Sequence, residues 1–323
     1  PDYRDYAHDA KHRYDYKPED CMKFHGAVEK YCVPVMRRLN AERTTELGVD
    51  ALRPWDLGVD TKGRQPLRPF ENAEEMFSGS SRMFHRMDAR LGAMFDSLKE
   101  GDCLDLETRK AKAPGGYQYQ RERSRQPFIF MNAAGVHRDV ETMVHEAGHA
   151  FHSIVCKDEP IMAYRSAPME FCEVASMSME LLTFPYLNEF YSEEDANRAK
   201  RDPLEGMATM LPWIATIDCF QHWIYTNPGH TAADRTQAWL DVTDRFGAAI
   251  DWTGVEAMRE ASWQRQLHIF GLPFYYIEYG IAQLGALQVW LNTLHNETEG
   301  IAKYLAALEL GAAVVELLGL LAL

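Results

Sequence analysis

The sequence predicts a mainly α-helical protein with one small β-sheet set just before a histidine-bearing helix. Apolar residues recur at helical spacing through most of the chain, and strand-like alternation is confined to about residues 103–132. Between the two kinds of pattern lies HEAGHAFH, His145 to His152, inside an unbroken helical repeat. With 323 residues, 37.0 kDa and 46% hydrophobic residues, the chain can bury a core without staples, and residues 1–323 read as a single domain.

The opening PDYRDYAHDAKHRYDY has no clear periodicity and does not begin with Met, so it reads as the start of a fragment of a larger protein. Lys17-Pro18-Glu19-Asp20 is a helix start, and helical spacing continues to about Leu47 with a kink expected at Pro34. LRPWDL, Leu52 to Leu57, reads as a short extended segment. A second long helix is expected from about Glu71 to Leu98, with its break at Gly79 to Ser81. CLDLE, GGYQYQ and PFIFMN then read as three short strands. PFIFMN is either an edge able to pair with an extended peptide or an interior strand.

In HRDVETMVHEAGHAFHSIVCK, Asp139 is placed to cap a helix and Glu141 lies in its first turn. Val140, Met143, Val144, Ala147, Phe151 and Ile154 form its apolar face. His145 and His149 are four residues apart and share one side of the helix, while Glu146 is turned away by about 100°. Two imidazoles can thus reach one metal ion with a carboxylate beside them. Gly148 inside a helix costs about 1 kcal/mol relative to Ala, which implies that something must approach the backbone there. A second helix, behind Pro168, carries Glu170, Glu173 and Glu180 on one face among methionines and small residues. Carboxylates on such a face are costly unless a cation or donor meets them, so this helix is the source of a third ligand.

PWIATIDCFQHWIYTNPGHT and TQAWLDVTDRF read as helices with buried tryptophans, and His222 among them as structural. LHIFGLPFYYIEYGIAQ gathers Tyr275, Tyr276 and Tyr279 behind His268, either as aromatic packing or as a set of neutral hydrogen-bond donors. The closing GAAVVELLGLLAL reads as a buried helix.

A net charge of −14, with no basic stripe, excludes a nucleic-acid surface. Six cysteines without a CxxC pair read as reduced core residues of a cytoplasmic protein; Cys156 and Cys172 flank the histidine pair, but a thiolate ligand is the lesser reading. No apolar run reaches the length of a membrane span, and none has the form of a signal peptide.

Taken together, HEAGHAFH, Phe171-Cys172-Glu173, LRPWDL, PFIFMN and PFYYIEYGIAQ resemble the thimet oligopeptidase and oligoendopeptidase F zinc metallopeptidases, from about residue 15 to residue 305. The resemblance implies a zincin-like helical catalytic domain holding one Zn²⁺ ion through His145, His149 and Glu173, with Glu146 as general base. It implies that Glu180 supports a ligand histidine, and that His268 and Tyr279, with Tyr275 or Tyr276 as a weaker candidate, bind substrate and stabilise the oxyanion. The metzincin pattern does not fit, since His152 stands where it needs Gly and Val155 where it needs His. The expected activity is hydrolysis of internal bonds in short unfolded peptides. The alternatives are a carboxypeptidase or dipeptidyl carboxypeptidase of the same architecture, or an inactive peptide-binding fragment. The family's helical N-terminal lobe is expected to be largely absent, and the ending departs from the family's polar, glycine-marked close. Oligomeric state is left open by the sequence.

Overall fold

In the computed structural model, which describes residues 2–14 and 16–311 and leaves out the side chains of Met169 and Glu170, the chain is mostly helical. Helix α1 (Tyr3–Ala10) forms where the sequence suggested no regular structure. The cause is local: the Asp2 carboxylate accepts from the Arg4 amide, and the Asp5 carboxylate accepts from the Asp2 amide. Helix α2 (Pro18–Ala27) starts at Pro18 as expected. A π-helical turn (Val28–Cys32) joins it to α3 (Val33–Leu47). Pro34 has no N–H to donate, and the interruption expected there is absorbed by this widened turn. LRPWDL is not extended, because Pro54–Gly58 winds into a 3-10 turn whose Asp56 carboxylate accepts from the Arg53 amide.

The expected helix from Glu71 to Leu98 is two helices, α4 (Ala73–Met87) and α5 (Ala89–Glu100). They part at Asp88, which caps α5 by accepting from the Arg90 amide, and not at Gly79–Ser81. Gly79 lies within α4, where a Cβ would stand 2.4 Å from the Phe190 ring. The glycine serves packing, and the helix continues through it.

Strands β1 (Leu104–Glu107), β2 (Tyr117–Arg121) and β3 (Gln126–Ala133) form one sheet in the order β1-β3-β2. PFIFMN is therefore the interior strand, parallel to β1 and antiparallel to β2. Helix α6 (His137–Val155) packs on this sheet and against α7 (Met169–Leu182). Asp139 is not the cap residue of α6. It sits in the first turn, and its carboxylate accepts from the amides of Ala134 and Val136 in the chain leading in.

Helix α8 (Glu193–Thr226) runs through Pro203 and Pro212. The helix expected to begin at Pro212 instead starts well before it, since Leu211 and Ala215 are both held in one core cluster on either side of the proline. Then come α9 (Ala232–Phe246), α10 (Glu256–Ala261), α11 (His268–Gly271), α12 (Ile277–His295) and α13 (Glu297–Leu308). The expected closing helix falls outside the described residues after Gly311.

The chain forms two compact units, Pro1–Gln65 with Asp202–Gly280, and Pro66–Arg201 with Ile281–Leu323. In the first, one cluster gathers Val28, Val33, Met36, Leu211, Val242 and Phe246, and another surrounds Phe220 and Trp239. Trp239 is fully buried and donates to the Arg259 carbonyl, whereas Trp213 and Trp223 are only partly buried. In the second, Phe84 meets Phe151 edge to face at 5.0 Å and tilts onto Phe95 at 4.8 Å, tying α4 and α5 to α6. Among the described residues no helix is long and apolar enough to cross a membrane.

Candidate metal centre and active site

His145 and His149 leave α6 on the same side, with ring centroids 5.0 Å apart. Glu173, one turn into α7, brings its Oε2 to 3.5 Å from His145 Nε2 and 3.9 Å from His149 Nε2. One ligand atom from each of the three residues lies within 4.8 Å of the others. Tetrahedral zinc with bonds of about 2.0 Å to nitrogen and oxygen sets its donors roughly 3.3 Å apart, so a small contraction would complete the fit. All three side chains keep partial solvent access, as a site with an open position requires. Ser176 Oγ donates to Glu173 Oε2 at 3.2 Å and fixes the carboxylate.

The close approach of the two helices explains Gly148. A Cβ there would stand 2.7 Å from the Ser176 Cα and 2.9 Å from the Ala175 carbonyl oxygen, both backbone atoms that cannot swing aside. Tyr304 of α13 donates to that same Ala175 carbonyl at 2.8 Å and backs α7 from behind. Gly148→Ala is expected to destabilise the protein by about 1–3 kcal/mol and to lower metal occupancy by moving Glu173 off the histidines. Urea unfolding together with elemental analysis checks both, and wild-type values would show that the contact is unimportant.

Glu180, two turns further along α7, meets the other nitrogen of His145, with Oε1 2.6 Å from Nδ1. Nδ1–H therefore donates to the carboxylate, and Nε2 presents its lone pair toward Glu173 and His149. Burial disfavours the charged form of His145, but the Glu180 hydrogen bond and the surrounding carboxylates outweigh it and raise its pKa. Among the described residues His149 has no such hydrogen bond: burial, then repulsion from His145 and His152, pushes it down to about 3, leaving the neutral form that can ligate. Glu180→Ala is expected to weaken metal binding roughly 10–100-fold, measured by titration against a competing chelator.

Glu146 is 7% exposed. Burial raises its pKa, with Glu173 and Glu180 adding to the effect, while His145 and the backbone amide of Gln118 act in the opposite direction. Gln118 lies on β2, and its side chain also donates to Ser153 on α6 at 3.0 Å. Cys156 donates to the Leu308 carbonyl, and neither it nor Cys172 belongs to the three-donor cluster. None of the six cysteines is in a disulfide. The side chain of Glu170 lies outside the described residues.

His268, Tyr275, Tyr276 and Tyr279 come together in the other unit, as aromatic packing that also gathers polar groups. The His268 ring lies 6.0, 5.1 and 5.9 Å from the rings of Tyr275, Tyr276 and Tyr279. Two residues with no visible signal in the sequence set its protonation. Trp213 Nε1–H donates to Gln266 Oε1 at 3.3 Å, which orients the Gln266 amide so that its nitrogen donates to His268 Nδ1 at 2.6 Å. The neutral ring then carries its proton on Nε2, and burial favours that neutral form.

The model of peptidase family M3 matches residues 1–318. An oligoendopeptidase F homolog of Borreliella burgdorferi is 23% identical over 292 residues, which cover 87% of this chain and 48% of that protein. Oligopeptidase PepF of Bacillus subtilis is 25% identical over 296 residues, covering 87% of this chain and 42% of that protein. Among solved structures, PZ peptidase A with an inhibitor matches with a TM-score of 0.89 and 33% identity, over 100% of this chain and 57% of that one. The chain thus spans about half the length of the relatives it matches. With its small sheet, its HEAGHAFH helix and its carboxylate-bearing partner helix, the chain belongs to peptidase family M3 as an oligoendopeptidase F-like member.

Proposed function

We propose that this chain carries the active site of a zinc-dependent endopeptidase acting on short, unfolded oligopeptides. The observation that carries the reading is the convergence of His145, His149 and Glu173 beside the buried Glu146. The first three would hold one zinc ion, His145 and His149 through ring nitrogens and Glu173 through a carboxylate oxygen. When bound, zinc supplies a Lewis acid that brings the ionisation of water close to neutral pH.

Glu146 accepts the proton of the attacking water and returns it to the leaving amine, and burial, which raises its pKa, favours its taking that proton. Tyr279 and His268 donate to the oxyanion, with Tyr275 beside them; these roles rest on the family resemblance. The Nε2–H form of His268 is a neutral donor of the required kind, and such a donor contributes roughly 3 kcal/mol in the transition state. An extended peptide would add as a strand to the outer side of β2, which has no second strand partner among the described residues and packs against α6. The restriction to short peptides is carried over from relatives named as oligopeptidases. Cysteines outside disulfides suit a reducing compartment, and we place the protein in the cytoplasm.

An end-blocked, internally quenched peptide tests the reading. Cleavage at an internal bond, stopped by a chelator and restored by zinc, is the expected result. Cleavage restricted to peptides with a free C-terminus would assign the chain to the carboxypeptidases instead. Stoichiometric zinc with neither activity would make it a peptide-binding fragment.

A further inference from the structure

A second group of side chains able to bind a metal lies in the first unit. Cys21 and His25 are one turn apart on α2, and Asp218 and His222 are one turn apart on α8. All four are at most 4% exposed. The Cys21 sulfur, a carboxylate oxygen of Asp218 and a ring nitrogen of His222 lie within 4.8 Å of one another. His222 Nε2 is 3.3 Å from Asp218 Oδ2, so the imidazole and the carboxylate are in contact within this cluster.

The hydrogen bonding is incomplete in a way that points to a ligand. His25 Nε2 donates to Asp218 Oδ2 at 2.8 Å. Among the described residues, Asp218 Oδ1 and His222 Nδ1 have no hydrogen-bond partner although they are fully enclosed, while His222 Nε2 faces Asp218 Oδ2. Buried polar atoms are almost always satisfied, and leaving several together in one place is costly. Arg13, near Cys21, is paired with Glu278.

We propose that Cys21, Asp218 and His222 form a structural site for a second divalent transition-metal ion of the zinc type, joining α2 to α8. A thiolate, an imidazole and a carboxylate are the donor set such an ion prefers, and calcium or magnesium would want oxygen alone. Binding displaces the Cys21 proton to solvent. His25 holds Asp218 Oδ2 and leaves Oδ1 without a hydrogen bond, available to the ion. Enclosure rules out access by substrate, so the role is to hold the two helices together, and the ion enters as the unit folds.

Metal content of the full chain, with folding checked by circular dichroism, tests the site. The expected values are about two ions per chain in the wild type and about one in each of Glu173→Ala and Cys21→Ser. Glu173→Ala refolded with cobalt should show thiolate-to-cobalt charge-transfer absorption in the near ultraviolet, which His145, His149 and residue 173 cannot produce because they contain no sulfur. The same band should be missing from Cys21→Ser. If Cys21→Ser does not fold, the Glu173→Ala readings decide alone. Folded Glu173→Ala with no metal and no cobalt band would overturn the proposal and leave a hydrogen-bonded histidine–aspartate–histidine cluster. One ion that survives Glu173→Ala but is lost in Cys21→Ser would uphold this site while removing the catalytic one.

Discussion

Glu146→Gln is expected to retain the metal content of the wild type and to lose peptide hydrolysis by roughly a hundredfold to ten-thousandfold. The amide has nearly the shape of the carboxylate, so the packing around this 7%-exposed side chain should survive. What is lost is the ability to take a proton from water and deliver it to the departing amine. The substitution also removes a charge that contributes to the raised pKa of His145, but it leaves the Glu180 hydrogen bond that orients the ring. The measurement is hydrolysis of the end-blocked peptide alongside elemental analysis. Full activity with full metal would mean that another group moves the proton and that the proposed mechanism is wrong.

Glu173→Ala should remove both metal and activity. Losing an outer partner of a ligand costs roughly 10–100-fold in metal affinity, and losing a ligand itself should cost more, because only two neutral imidazoles remain to bind the ion directly. The packing should tolerate the change: Glu173 is half-buried, and Ser176 is the residue whose hydroxyl it engages. Chelator competition should show the affinity falling well beyond that of Glu180→Ala, and added zinc at high concentration should restore little turnover. An alanine variant that keeps tight metal binding at the histidine pair would remove Glu173 from the ligand set.

The two residues differ in how far they could be read from the chain. His145 and His149 need only the rise and turn of one helix to face the same way, so their spacing is a local statement. Choosing among Glu170, Glu173 and Glu180 required a family resemblance, because helical periodicity puts all three on a similar face. The separation between Glu173, near both Nε2 atoms, and Glu180, on His145 Nδ1, depends on where α7 crosses α6. That crossing is set at Gly148 against Ser176, and the glycine was visible while its partner was not. Gln118 and Gln266 carried no signal at all. Their partners are Glu146 and His268, reached through strand placement in one case and through a loop beside Trp213 in the other.

Errors at element boundaries have the same origin. Asp88 ended a helix that periodicity would have continued, because its side chain offers a better bond to the Arg90 amide than the helix ladder does. Pro212 would start a helix in isolation, yet burial on both sides carries α8 through it. The amino-acid sequence alone determined the helical class, the small sheet, the paired histidines and their neighbouring carboxylate, since these follow from local spacing and turn chemistry. Only the tertiary structure decided that PFIFMN is interior, which carboxylate meets both imidazoles and that Cys21 meets Asp218 and His222, because each depends on contacts between segments distant in the chain.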